Sequence, residues 1–100
     1  MRWVLMKKLW LAKIMNLKLL FFANLREQFG FSYKEINLSK KVSSPEEFLL
    51  VMRNQIGGEW VNLFENKKLY KVAINQNLSS WKDHILEGDE LAIFPPITGG

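Results

Sequence analysis

One helix signal in this chain is stronger than any other, and it lies between two stretches that alternate like strands. Ser44-Pro45-Glu46-Glu47 has the makings of a helix start. The serine hydroxyl can accept an amide hydrogen three residues on, Glu47 can reach back to the serine amide, and proline at the first helical position gives up no needed donor. Phe48, Leu49, Met52 and Ile56 follow at helical spacing, and Gly57-Gly58 ends the run. A helix with one apolar stripe has to bury it. In a 100-residue chain whose other long patterns are strand-like, the partner layer is a sheet.

Before this helix, Asn16 to Phe22 reads as a strand that becomes apolar on both sides toward its end. A strand covered on both faces reads this way, and so does one that leaves an apolar patch open for a partner. Asn24 to Phe29 forms a short helical turn, with Leu25 and Phe29 four apart, stopped by Gly30. Tyr33 to Leu38 returns as a second strand in a hairpin-like unit, and Ser39 to Ser44 is a loop. After the helix, Glu59 to Glu65 predicts a shorter helix through Trp60, Leu63 and Phe64, and Leu69 to Ile74 a third strand. Asn75-Gln76-Asn77 is a turn with asparagines suited to positive φ, and Leu78 to Trp81 is a short strand or a single turn. Gly88-Asp89 turns into the last strand, Glu90 to Phe94, which Pro95-Pro96 ends because neither proline can donate to a ladder. Two strands, one main helix and two or three further strands make an α+β layer structure.

Charge and composition then narrow the function. The net charge is +4, but Arg2, Lys7, Lys8 and Lys13 supply all of the excess. Residues 15–100 carry 10 basic and 10 acidic groups. The first segment is too short in apolar residues for a signal peptide and is broken by Lys13. Its lysines at 7, 8 and 13 point to different sides of a helix, so it makes no interfacial helix. The expected organisation is an N-terminal extension over 1–14 outside the domain, a domain over 15–94, and a flexible tail over 95–100. A neutral domain argues against a nucleic-acid module, and no apolar run is long enough to span a membrane. There is no cysteine and one histidine, His84, so thiolate metal sites, disulfides, cysteine nucleophiles and histidine-based triads are excluded and no metal is expected. No phosphate-binding glycine loop appears. A small domain without cross-links fits the cytoplasm.

The tail, Pro95-Pro96-Ile97-Thr98-Gly99-Gly100, offers chemistry that needs no side chain. Two prolines hold its start extended, and two glycines strip its end. A terminal carboxylate is a poor electrophile until ATP converts it to an acyl-adenylate. To be so activated it must thread into a narrow partner site, and glycine, lacking Cβ, permits that approach. The reactive atom is then the carbonyl carbon of Gly100.

The segment from Gly88 through Gly100 closely resembles the C-terminus of the small subunit of molybdopterin synthase. Leu19-Leu20-Phe21-Phe22-Ala23, followed by Leu25-Arg26-Glu27 and Gly30, resembles that family's first strand and helix, and Ile74-Asn75-Gln76 resembles its central strand end. The resemblance covers residues 15–100. It implies a ubiquitin-like β-grasp fold, a mixed sheet of four to five strands with one main helix packed on it. It implies that an ATP-dependent adenylating enzyme activates Gly100, that a sulfur donor acting through it makes a thiocarboxylate, and that no cofactor is bound. The terminus would then enter the large subunit, in a heterotetramer, and give its sulfur to cyclic pyranopterin monophosphate. Carried over by position, the docking surface is Phe22, Arg26, Leu78 and Phe94 with Pro95, Pro96, Ile97 and Thr98, and the reacting end is Gly99-Gly100.

Phe22 and Phe94 read equally well as core residues, and Arg26 as a plain solvated charge. Trp60 and Trp81 read as packing residues, His84 as a surface residue, Lys40-Lys41 and Lys67-Lys68 as solvated positions. Other readings of the same tail are a carrier for thiamin or transfer-RNA thiolation and a ubiquitin-like modifier joined to lysines through Gly100.

Overall fold

A computed structural model describes residues 14–95. The chain runs β1 (Met15–Phe21), α1 (Asn24–Phe29), β2 (Tyr33–Leu38), α2 (Pro45–Gln55), α3 (Glu59–Glu65), a 3₁₀ turn (Lys67–Leu69), β3 (Lys71–Ile74), β4 (Asn77–Ser79) and β5 (Glu90–Phe94). The five strands form one sheet in the order β2-β1-β5-β3-β4. β1 and β5 run parallel side by side, and the other neighbours are antiparallel. This mixed sheet with its main helix is the β-grasp arrangement.

Period-two alternation decides which side of each strand is covered. Met15, Leu17, Leu19 and Phe21 of β1 are buried, as are Val72 and Ile74 of β3 and Leu91 and Ile93 of β5. They form one core with Phe48, Leu49 and Met52 of α2 and Trp60 and Leu63 of α3. An aromatic cluster closes one end of it. The ring centroids of Phe21 and Phe29 lie 4.4 Å apart, those of Phe29 and Trp60 4.6 Å. Trp60 is thus a packing residue, and so is half-buried Trp81, whose Nε1–H donates to the Tyr70 carbonyl at 3.2 Å.

The start of α2 follows the sequence in one half only. Ser44 Oγ accepts from the Glu47 N–H at 3.2 Å, with Pro45 in the first turn. The Glu47 carboxylate does not return to the Ser44 amide; it takes the hydroxyl hydrogen of Ser43 instead. The expected third strand begins two residues late. Tyr70 donates its N–H to the Lys67 carbonyl at 3.0 Å, closing the 3₁₀ turn over Leu69, so the ladder starts at Lys71. The following turn has positive φ at Asn75 (51°) and Gln76 (69°), the two-residue form that suits a twisted hairpin, so Gln76 and not Asn77 takes the second position. Asn77, Leu78 and Ser79 form β4, which settles the strand-or-turn alternative for most of Leu78 to Trp81.

Candidate functional site

The candidate functional surface is the other side of the sheet. On β1 the residues alternating with the core set are Asn16, Lys18 and Leu20, and Phe22 follows. In register, Lys18 lies beside Glu90, Leu20 beside Ala92, and Ala92 beside Ala73. No described helix covers this face. Its upper part is apolar, and Leu20, Phe22, Ala23, Ala92, Phe94 and Pro95 line a shallow groove of about 540 Å³, with Gln76 and Glu90 at its polar margin.

Phe22 and Phe94 are placed here for a plain reason. Each follows by one residue a member of the core, Phe21 and Ile93, which are in register across the parallel pair. Alternation therefore sends both outward on the same face. Phe22 is 46% exposed, which removes the core reading for it. Phe94 is half-buried, its ring edge-on to Phe22 with centroids 6.4 Å apart. Contiguous exposed apolar surface of this kind marks a binding site more often than an ordinary surface.

The backbone beside Phe22 is strained. Ala23 has φ 54° and ψ −130°, a region glycine occupies freely and alanine does not. The start of α3 adopts nearly the same conformation, φ 58° and ψ −133°, and there the residue is Gly58. The strained turn sends the chain from β1 into α1 and leaves Phe22 and Ala23 at the groove.

The other residues named from sequence fall in different places. Leu78 is 74% exposed on the edge strand β4, opposite Ala73 in register, but is not part of the groove lining. Arg26 is exposed on α1, forms no ion pair among the described residues and also stays out of the lining. Pro96, Ile97, Thr98, Gly99 and Gly100 lie outside the described residues, as does the N-terminal stretch 1–13. Ile14, the next residue, donates its N–H to the Leu38 carbonyl at 2.9 Å, beside the first rung of the β1–β2 ladder.

Residues that the sequence did not single out also shape this face. Ala73 and Ala92 keep the middle of the groove shallow, and Tyr33 on β2, 49% exposed, is opposite Leu20 in register without being part of the groove lining. The Tyr33 phenol is held above the ordinary tyrosine value by desolvation on the sheet face, then by the nearby carboxylates of Glu35 and Glu90. Tyr33 stays neutral at ordinary pH. The alternation of Glu90-Leu91-Ala92-Ile93-Phe94 carried the signal for Ala92.

What this arrangement can do is bind. Among the described residues, no group of three or more histidine, cysteine, aspartate or glutamate side chains could hold a metal ion, and His84 is exposed. No helix among them is long and apolar enough to cross a membrane. A β-grasp domain with an open apolar face beside the end of its last strand is the class that fold and site define together.

Comparison with known proteins makes the class specific. The chain belongs to the ThiS family, which matches residues 19–100. It is 39% identical to the molybdopterin synthase sulfur carrier subunit of Haemophilus influenzae over 84 residues, 84% of this chain and 99% of that protein. It is 37% identical to the subunit of the same name from Escherichia coli over the same shares. Its fold superposes on the crystal structure of SAMP1 from Haloferax volcanii with a TM-score of 0.64 at 21% identity, covering 85% of this chain and 99% of that one. A complex of subunits 1 and 2 of the molybdopterin-converting factor from Helicobacter pylori contains a chain with a TM-score of 0.54 and 22% identity, covering 86% of this chain and all of that one (100%).

Proposed function

We propose that this protein is the sulfur-carrier subunit of a molybdopterin synthase and that its working group is the carboxyl of Gly100. An adenylating enzyme joins that carboxylate to the α-phosphate of ATP and releases pyrophosphate. Sulfur from a donor then displaces AMP and leaves a terminal thiocarboxylate. The large synthase subunit, in a heterotetramer with two copies of each chain, takes the terminus and brings it to cyclic pyranopterin monophosphate. The sulfur bonds to the substrate, hydrolysis frees it from the carrier, and Gly100 returns as a carboxylate. The apolar groove docks the partners, with Phe22 and Phe94 as anchors, because aromatic side chains at the centre of an interface carry much of its energy. ATP acts as a substrate of the activating enzyme, and this chain needs no bound cofactor.

The observation that carries the reading is one combination. The family match runs to residue 100, and Gly99-Gly100 follow, within a few residues, the strand whose end forms the groove. The named relatives at 37–39% identity support the molybdopterin branch over other carriers. The two-subunit complex among its structural neighbours supports a large-subunit partner.

The test is intact-mass analysis after incubation with an adenylating enzyme, ATP and a sulfur donor. A gain equal to sulfur replacing one oxygen, lost on deleting Gly100, is the expected result. No gain, in a mixture that thiolates a related carrier, overturns the reading. Isopeptide-linked adducts with other proteins would overturn it in favour of a modifier.

A further inference from the structure

The chain folds four lysines that are scattered in sequence into one place. Lys67 and Lys68 on the 3₁₀ turn, Lys71 at the start of β3 and Lys82 after β4 line a depression of about 580 Å³. Glu46 is the one acid in that lining, and Lys67 Nζ already pairs with it at 3.8 Å while lying 4.2 Å from the Phe64 ring centre. Asp83, next to Lys82, turns its carboxylate back to accept the Ser80 N–H at 2.9 Å. Lys68, Lys71 and Lys82 are exposed and form no ion pair among the described residues.

Residues 15–100 have as many acids as bases, so this excess is balanced elsewhere. Glu87, Asp89 and Glu90 lie at the opposite end of the sheet. Glu90 opens β5, whereas Lys71 is paired in register with Phe94, which closes it. The opposite end also carries Lys18, in register with Glu90, and Lys40 and Lys41 in the loop after β2, so its charges offset one another, whereas the cluster has one acid to four lysines. The cluster lies at the end from which the chain continues to Gly100, and Lys71 joins it to the apolar groove that Phe94 lines.

Under the function proposed above, on which this step rests, two partners receive the terminus in turn at the same groove. The sulfur-accepting subunit must present cations to a phosphorylated substrate and to a thiocarboxylate, so a lysine cluster at its mouth is repelled. The adenylating enzyme must instead hold magnesium with ATP, which calls for carboxylates. We infer that the lysine cluster docks a carboxylate-bearing surface of the adenylating enzyme, beside the opening that takes the terminus. The groove serves both partners, and the cluster favours the activating one and speeds encounter with it. Such steering acts on association rate and fades with salt.

Two variants of equal charge change test this. Lys71→Glu with Lys82→Glu alters the cluster. Lys40→Glu with Lys41→Glu alters exposed lysines in the loop after β2, at the other end of the sheet. The measurements are kcat/KM for adenylation at low and at physiological salt, and affinity for the large subunit. The cluster variant should lose about tenfold or more in kcat/KM at low salt, less at higher salt. The loop variant, and the affinity of either variant for the large subunit, should change by less than about twofold. Equal losses in the two variants, unaltered adenylation in the cluster variant, or a loss confined to large-subunit binding each overturn the inference. Failure of the unaltered protein to be adenylated at all removes the function itself. Thermal unfolding checks the fold, and Lys71→Gln with Lys82→Gln, expected to show an intermediate loss, repeats the test should the glutamate pair unfold.

Discussion

From Leu19 to Phe22 the two sides of the chain are alike in apolar content and opposite in exposure. Leu17, Leu19 and Phe21 are sealed beneath the helices, while Leu20 and Phe22 on the other side have no described helix over them. The first set acts on the equilibrium between folded and unfolded chain. The second leaves apolar surface exposed on the free domain, a cost that the docking proposed above would recover. Side-chain type does not separate the two roles; what lies over each face does.

The difference is broken or sharpened first in the core. Leu19→Ala should cost about 3 kcal/mol in denaturant unfolding, since Leu19 is fully buried (0% exposed) and a cavity is left behind. Next comes the open face. Phe22→Ala combined with Phe94→Ala should lower affinity for the large subunit by about 2 kcal/mol or more, roughly thirtyfold, in a titration, while costing about 1 kcal/mol of stability. If that pair destabilises the fold as much as Leu19→Ala does, the two faces are one core and the contrast is lost. A smaller effect is expected at the border of the two regions. Ala23→Gly should raise stability by about 1 kcal/mol, because glycine relieves the positive-φ strain at the head of α1 as Gly58 does at the head of α3. The smallest effect concerns Tyr33. Its raised folded-state pKa favours the native state below the ordinary tyrosine value near about 10, and that contribution is lost as pH rises through the folded value. The phenolate absorbance difference between the parent and Tyr33→Phe should therefore have its midpoint above that value.

Most element boundaries were legible from local chemistry. Gly30, the Ser44 cap, Gly57-Gly58 and Pro95 each stop or start an element for reasons contained within a few residues. The start of β3 was not. Leu69 is apolar and spaced like a strand residue, yet it is 62% exposed on a 3₁₀ turn, and only the backbone bond from Tyr70 to Lys67 reveals it. The groove was half legible. Alternation puts Phe22 opposite Phe21, but which of them is covered depends on where α2 and α3 dock, a long-range outcome. The lysine cluster was invisible for the same reason. Lys67-Lys68 reads as a solvated pair until the β3–β4 hairpin and the turn after it bring Lys71 and Lys82 alongside.

The parallel pairing of β1 with β5 also has a consequence in time. The first and last strands of the domain are neighbours at the centre of the sheet, so the sheet is divided until the final strand slots between β1 and β3. Contacts this distant in sequence are slow to form and are the last to be secured during synthesis. Insertion of β5 both completes the core, through Leu91 and Ile93, and sets Phe94 and Pro95 at the groove from which the chain continues toward its glycines. An unfinished or misfolded chain lacks this surface, so under the function proposed above the topology would work as a proofreading step, withholding incompletely folded molecules from activation.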